Sequence, residues 1–217
     1  MHRRWMTVPV FALAIAVGWT IVRRRPFSAR LAWVLTLPGP RSIARAAQLA
    51  ALLDLRPGMR VLDAGAGPGR LTIPLAEMVG PEGTVTALDV QPAMLERVRR
   101  RAETSGLRNV RLLVAELGRG TLAALEPDRY DRAVLVHVLG ETNDPAATLH
   151  EIAAALRPGG RVAIVEHVGD PHFVQYRRVR AFAEGAGLRL RAERRGWLGH
   201  TTVWEKLSER PSEKGVA

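Results

Sequence analysis

Short apolar runs alternate along most of this chain with longer stretches in which apolar side chains return every third or fourth position. The runs read as buried strands and the longer stretches as amphipathic helices. The pattern predicts strands at Val61-Leu62 up to Asp63, Thr84–Leu88, Val110–Val114, Ala133–Leu139, Arg161–Glu166, Leu188–Arg194 and His200–Lys206. Between them it predicts helices over Leu71–Val79, Pro92–Thr104, Pro145–Leu156 and Val174–Ala186, with a short helix inside Leu117–Pro127. A leading helix from Ile43 to Leu55 takes Ser42 as its cap, and Asn143 or Asp144 caps the helix at Pro145. In Pro92–Thr104, Met94, Leu95 and Val98 share one face, while Glu96, Arg97, Arg100 and Arg101 make a solvated one. Strand and helix in strict alternation imply an α/β fold, a parallel sheet covered on both faces.

The amino end follows a different pattern. No residue from Trp5 to Val22 is charged, and Arg23, Arg24 and Arg25 follow at once. About 20 apolar residues span a bilayer, so residues 1–25 are expected to form a short membrane anchor. A cleaved signal peptide fits less well, because no small-x-small site follows the apolar run and the arginines stand where cleavage would fall. An interfacial helix or a soluble hydrophobic arm are the other readings. The cluster after the apolar run outweighs Arg3 and Arg4, which places the downstream domain in the cytoplasm. Residues 26–41 read as an interfacial or cleft-covering linker, 42–207 as the catalytic domain and 208–217 as a disordered tail.

The most informative stretch is Arg60-Val-Leu-Asp-Ala-Gly-Ala-Gly-Pro-Gly-Arg70. Glycines at 65, 67 and 69 free the backbone for positive φ and for close approach of a ligand. A phosphate-binding P-loop is excluded, since Gly69 is followed by Arg70-Leu71-Thr72 and not by Gly-Lys-Ser/Thr. The spacing is G-x-G-x-G, which also departs from the dinucleotide fingerprint. Asp89, at the end of the second strand, stands where a ribose lies in such folds, and its carboxylate can accept from two hydroxyls.

These residues resemble the class I S-adenosylmethionine-dependent methyltransferases, over roughly Ser42 to Lys206. Val61–Gly69 matches that family's first motif, Asp89 its second-motif acid, Tyr130–His137 its fourth-strand motif, and Leu156-Arg-Pro-Gly-Gly160 its turn into the fifth strand. The resemblance implies a Rossmann-like, doubly wound sheet of seven mainly parallel strands with an antiparallel hairpin at the carboxyl end. It implies S-adenosylmethionine as cofactor, held by Asp63, Gly65, Ala66, Gly67, Gly69, Asp89, Val90, Met94, Glu116 and His137. Glu116 occupies a position where the family more often has Asp. The region around Leu156–Gly160 and the last two strands is most similar to methyltransferases of ubiquinone and menaquinone biosynthesis.

Composition adds limits. The chain has 217 residues, 47% of them hydrophobic, enough for one domain with a full core. It has no cysteine, which removes disulfides, thiolate nucleophiles and cysteine-held metals. The net charge of +11 suggests an anionic partner such as a membrane surface. Nearly all of the excess is arginine, and much of it lies before Leu31. Nucleic acid is disfavoured as substrate, because the fourth strand ends in His137-Val-Leu-Gly140 and lacks the Asn/Asp-Pro-Pro-Tyr/Phe of exocyclic amino methylation.

Methyl transfer is an in-line displacement in which positioning does much of the work, and a base is needed only if the acceptor must lose a proton. Candidates for that base at the carboxyl edge are His137, Glu141, Glu166, His167, Asp170 and His172, with His137 foremost and His167 weaker. No metal is expected; His167, Asp170 and His172 form too loose a pattern. The leading expectation is a membrane-associated methyltransferase acting on a lipid, quinone or other apolar small molecule. The alternatives are a soluble small-molecule or RNA methyltransferase and a scaffold that binds the cofactor without turnover. No pattern in the sequence specifies an oligomeric state.

Overall fold

The computed structural model describes residues 40–120 and 127–207. The expected anchor, nearly all of the linker, most of the short helix between Leu117 and Pro127, and the tail lie outside the described residues. Among those described, no helix is long and apolar enough to cross a membrane.

Alternating apolar residues along the middle strands are buried to both sides, as a two-sided sheet requires. Strands β1 (Arg60–Ala64), β2 (Thr84–Asp89), β3 (Val110–Val114), β4 (Tyr130–Val136), β5 (Leu156–His167), β6 (Leu188–Gly196) and β7 (Gly199–Lys206) form one sheet in the order β3-β2-β1-β4-β5-β7-β6. The first five run parallel, and β7 is antiparallel to both β5 and β6. The fold is therefore the Rossmann-like doubly wound sheet with a carboxyl-terminal hairpin. Its helices are α1 (Pro40–Leu53), α2 (Thr72–Val79), α3 (Pro92–Thr104), α4 (Pro145–Ala155) and α5 (Tyr176–Gly185). One face packs Leu62, Leu135, Ile164 and Trp204 with residues of α4 and α5, including Leu149, Ile152 and Val179. The other packs Val61, Val134, Ala163 and Val203 with Leu49, Leu53, Leu75 and Val79 of α1 and α2. Neighbouring residues of one strand thus serve opposite cores.

Several expected boundaries shift. Helix α1 begins at Pro40, so Ser42 falls inside its first turn and is not its cap. Asp144 caps α4, its Oδ1 accepting from the Ala147 amide at 2.9 Å. Strand β4 stops at Val136, not Leu139: His137 takes φ 61°, which ends the extended chain, and Leu139–Glu141 form a 3-10 turn. Arg101 does not belong to the solvated face of α3. It is half-buried and donates from Nη1 to the Pro68 carbonyl at 3.0 Å, while Glu96, Arg99 and Glu103 form the exposed ion pairs.

The end of α1 is held from within the sheet. Arg132 of β4 is 5% exposed, and its guanidinium donates to the carbonyls of Leu53, Asp54 and Asp131. Two of these are orphan acceptors at a helix end, which need a donor when buried.

Candidate active site

Parallel strands reverse their winding between β1 and β4, and ligands of such sheets sit outside the strand ends at that point. A cleft of about 1020 Å³ opens there. The turn after β1 forms its floor. Gly65 and Ala66 donate their amides to the Leu88 carbonyl at 2.8 and 2.9 Å, so the turn is fastened to β2. Gly65, Gly67 and Gly69 have φ of 75°, 51° and 80°, conformations that side chains strain against.

The three glycines have different reasons to be bare. A Cβ on Gly65 would overlap Val138, and one on Gly69 would stand 3.1 Å from Val98 Cγ2. At Gly67 a Cβ would meet nothing within 4 Å. Gly65 and Gly69 are thus also required by the protein's own packing, while a side chain at Gly67 would meet no protein atom. Gly69 does not line the cleft, whereas Asp63, Gly65, Ala66, Gly67, Asp89, Val90, Met94, Glu116 and His137 do.

Three carboxylates are fixed around this floor. Asp63, 3% exposed, accepts from Thr72 Oγ1 at 2.6 Å. Burial raises its pKa to about 6, against the pull of the Thr72 hydrogen bond. Asp89 accepts the Gly67 amide on Oδ2 at 2.9 Å and the Gln91 amide on Oδ1 at 2.8 Å. Burial raises it too, and the amides of Gln91, Gly67 and Val90 oppose the shift. Glu116 is held by Asn143 Nδ2 at 2.8 Å and Arg119 Nε at 3.0 Å; Arg119 and then Asn143 lower its pKa. Two buried carboxyl groups and the more exposed Glu116 beside bare backbone, with Met94 and Leu117 for apolar contact, fit a cationic nucleoside ligand such as S-adenosylmethionine.

The opposite rim carries the proton-transfer candidates. His137 Nδ1 lies 3.1 Å from Asp170 Oδ2. A carboxylate only accepts, so the neutral ring carries its proton on Nδ1 and leaves Nε2 as an acceptor. Arg45 Nη1 stands 3.5 Å from that Nε2. Burial pushes Asp170 up, but hydrogen bonds from His137 and the His172 amide, with both imidazoles close by, hold it below the ordinary carboxylate range. Glu141 and Asp170 line the cleft.

The other candidates are placed differently. His167 is not on the cleft; its ring lies parallel to His137 with centroids 6.1 Å apart, and its Nδ1 accepts the Gly169 amide at 3.1 Å. His172 is nearly buried, with Nδ1 3.5 Å from Asp170 and 3.8 Å from Glu141. Glu166 is 2% exposed beneath the loop, accepts the Val174 amide at 3.0 Å, and is raised by burial to about 7. Gly140 presses so close to this loop that a Cβ there would overlap the His172 carbonyl. Among the described residues no group of three or more potential ligands is placed to hold a metal ion.

Reasoning from the sequence missed Arg45, Gln48 and Asn143, which also line the cleft. Asn143 sits five residues before the buried Thr148 in an obvious turn, and in the sequence it read only as a candidate helix cap. Arg45 and Gln48 lie a turn apart on α1, but nothing in the sequence says which way that helix faces.

Comparison with known proteins agrees with this geometry. The methyltransferase domain family matches residues 55–193. A protein-L-isoaspartate O-methyltransferase of Methanothrix thermoacetophila is 39% identical over 129 residues, 59% of this chain and 56% of that protein. A demethylmenaquinone methyltransferase of Lactococcus lactis is 33% identical over 109 residues, 50% of this chain and 42% of that one. The chain thus spans about half the length of these curated relatives. A SAM dependent methyltransferase from Aquifex aeolicus shares the fold, with a TM-score of 0.75 at 24% identity over 84% of this chain and 100% of that one. With the glycine turn, the strand-end acids and the family match in agreement, the chain belongs to the methyltransferase domain family, and its described residues form an S-adenosylmethionine-dependent methyltransferase domain.

Proposed function

We propose that this protein is a membrane-associated methyltransferase that methylates a lipid, quinone or other apolar small molecule at an atom that must lose a proton. The observation that carries the chemistry is the His137–Asp170 pair at the rim of the cleft. S-adenosylmethionine, when bound, supplies a methyl group already activated by the sulfonium charge. Asp63, Gly67, Asp89 and Glu116 bind and orient that donor. His137 takes the acceptor's proton on Nε2, and Asp170 holds the ring in the required tautomer and stabilises the imidazolium that forms. Arg45, beside Nε2, pairs with the oxyanion that proton loss creates on a hydroxylated ring.

Val136, Val138, Leu71 and Ala44 give the cleft apolar walls near this pair, which supports an apolar acceptor. Likeness to a demethylmenaquinone methyltransferase supports the same class. Association with a membrane is supported by the uncharged stretch Trp5–Val22 followed by three arginines. The net charge of +11 favours a second reading, an RNA acceptor.

The test incubates the full chain with labelled donor and either membrane extract or RNA, and identifies the product by mass spectrometry. Label in an apolar product is expected. In His137→Asn, chosen because Asn tolerates positive φ, turnover should fall about 10²- to 10⁴-fold with donor affinity little changed. Label confined to RNA, or donor binding without any product, would replace this reading.

A further inference from the structure

A second cleft, of about 560 Å³, lies on the same edge of the sheet, beyond the loop that carries Asp170. Its lining includes Arg177, Arg180 and Arg195 and no carboxylate. The arginines stand on a stiff base: Arg195 lies 4.5 Å over the Tyr176 ring, and Tyr176 and Phe173 pack against buried His200 at 5.7 and 5.8 Å. Arg180 and Arg195 have exposed partners in Glu184 and Glu193, contacts that water weakens, and Arg177 has no ion pair among the described residues. Helix α5 starts here without a side-chain cap and without an acid in its first turn. Everything facing this cleft is cationic or neutral.

Beside it stands a hairpin tip made of large apolar residues. Gly196 pairs with Gly199, which leaves Trp197 and Leu198 as the two loop residues between β6 and β7. Neither takes the positive φ that would call for Asn, Asp or Gly, so this turn has room for large side chains. The glycines lie at the flanks, and a Cβ on Gly199 would overlap the Glu166 carbonyl, so the tip is fixed against β5. Trp197 is 86% exposed, Leu198 45% and Val168 52%. Val168 donates its amide to the Leu198 carbonyl at 2.9 Å, which joins the three into one patch. A contiguous exposed apolar patch of this kind, bordered by arginines, marks a contact made outside the chain.

We infer that this edge docks on an anionic phospholipid bilayer, with a lipid phosphate in the arginine cleft and Trp197 and Leu198 in the interface. A tryptophan with aliphatic neighbours suits the boundary between headgroups and chains, and arginines beside it suit the phosphates. A soluble anion accounts for the arginines but not for the exposed Leu198 and Val168. Docking this way turns the rim bearing His137 and Arg45 toward the bilayer. The inference rests on the membrane reading above, and it names the surface involved.

Residues 1–25 are expected to carry the chain to vesicles by themselves, so pelleting does not report on the hairpin. The readout is quenching of Trp197 in the full chain by brominated lipid, taken as the difference between the native protein and Trp197→Phe. With phosphatidylglycerol vesicles that component should be quenched, and with phosphatidylcholine much less. Arg177→Ala/Arg180→Ala should weaken docking about 25-fold, at roughly fivefold per arginine, and Leu198→Asp should abolish it. An unquenched Trp197 on vesicles that still pellet the chain would overturn the inference. So would a Trp197 emission change with inorganic phosphate or an oligoribonucleotide but none with phosphatidylglycerol. Methyl transfer to detergent-dispersed acceptor is measured separately; its failure with quenching intact would count against the catalytic reading alone.

Discussion

Glu166 is the residue whose chemistry is least expected from its place. One oxygen accepts the Val174 amide, while the other is buried without a partner, as is Nδ1 of His200 directly across the sheet. Its carboxyl has an ordinary pKa of 4.5 and one of about 7 in the fold, chiefly because burial disfavours the charge. Between those values the unfolded chain has released the proton and the folded chain has not. Stability is therefore full below about 4.5, declines as pH rises, and levels off above 7. Glu166→Gln removes that loss, so thermal melts should show it more stable than native at pH 8, by about 3 kcal/mol, and equal near pH 4. At the cleft floor, Gly67→Val adds a branched side chain at φ 51° where the space is open to ligand. Calorimetry should show donor affinity falling sharply, and Asp89→Ala should do the same by freeing the Gly67 and Gln91 amides it holds. Unchanged affinity in both would remove these assignments.

At the scale of elements, Arg132 links the middle of β4 to the end of α1. Arg132→Met keeps the bulk and leaves the Leu53 and Asp54 carbonyls without their donor. A loss of about 2–3 kcal/mol in denaturant midpoints is expected. Such a tie is invisible in sequence, where an arginine inside an apolar run reads as an edge or an error. The strands themselves were legible because hydrophobic period and turn residues agreed; Pro92–Thr104 and Val110–Val114 fall at the predicted bounds. Where the prediction slipped, a tertiary contact overrode the local pattern. Val138 and Leu139 looked like more strand, yet the chain turns at His137 so that its ring meets Asp170, 33 residues on. Arg101 looked solvated and instead supports the glycine turn through Pro68. The acids and glycines of the donor site were readable because they follow β1 and β2 directly. Arg45 was not, since it comes from a helix whose orientation only packing decides.

Across the whole molecule, charge and apolar exposure are unevenly spread. The amino end and the β6–β7 side are arginine-rich, and Trp197 projects from the edge at which both clefts open. If residues 5–22 anchor the chain, high salt should leave it in the membrane fraction and detergent should release it; release by salt or carbonate would point to surface contacts alone. The loop between the clefts is common to both, supplying Asp170 to one and Val168 to the other. It leans on bare backbone at Gly140, so its place is set by a side chain that is missing. Any relative with so much as a methyl group at that position must route the loop elsewhere and find another orienting group for its imidazole. That single position therefore sorts relatives into those able to share this histidine–aspartate arrangement and those that cannot, whatever their overall identity.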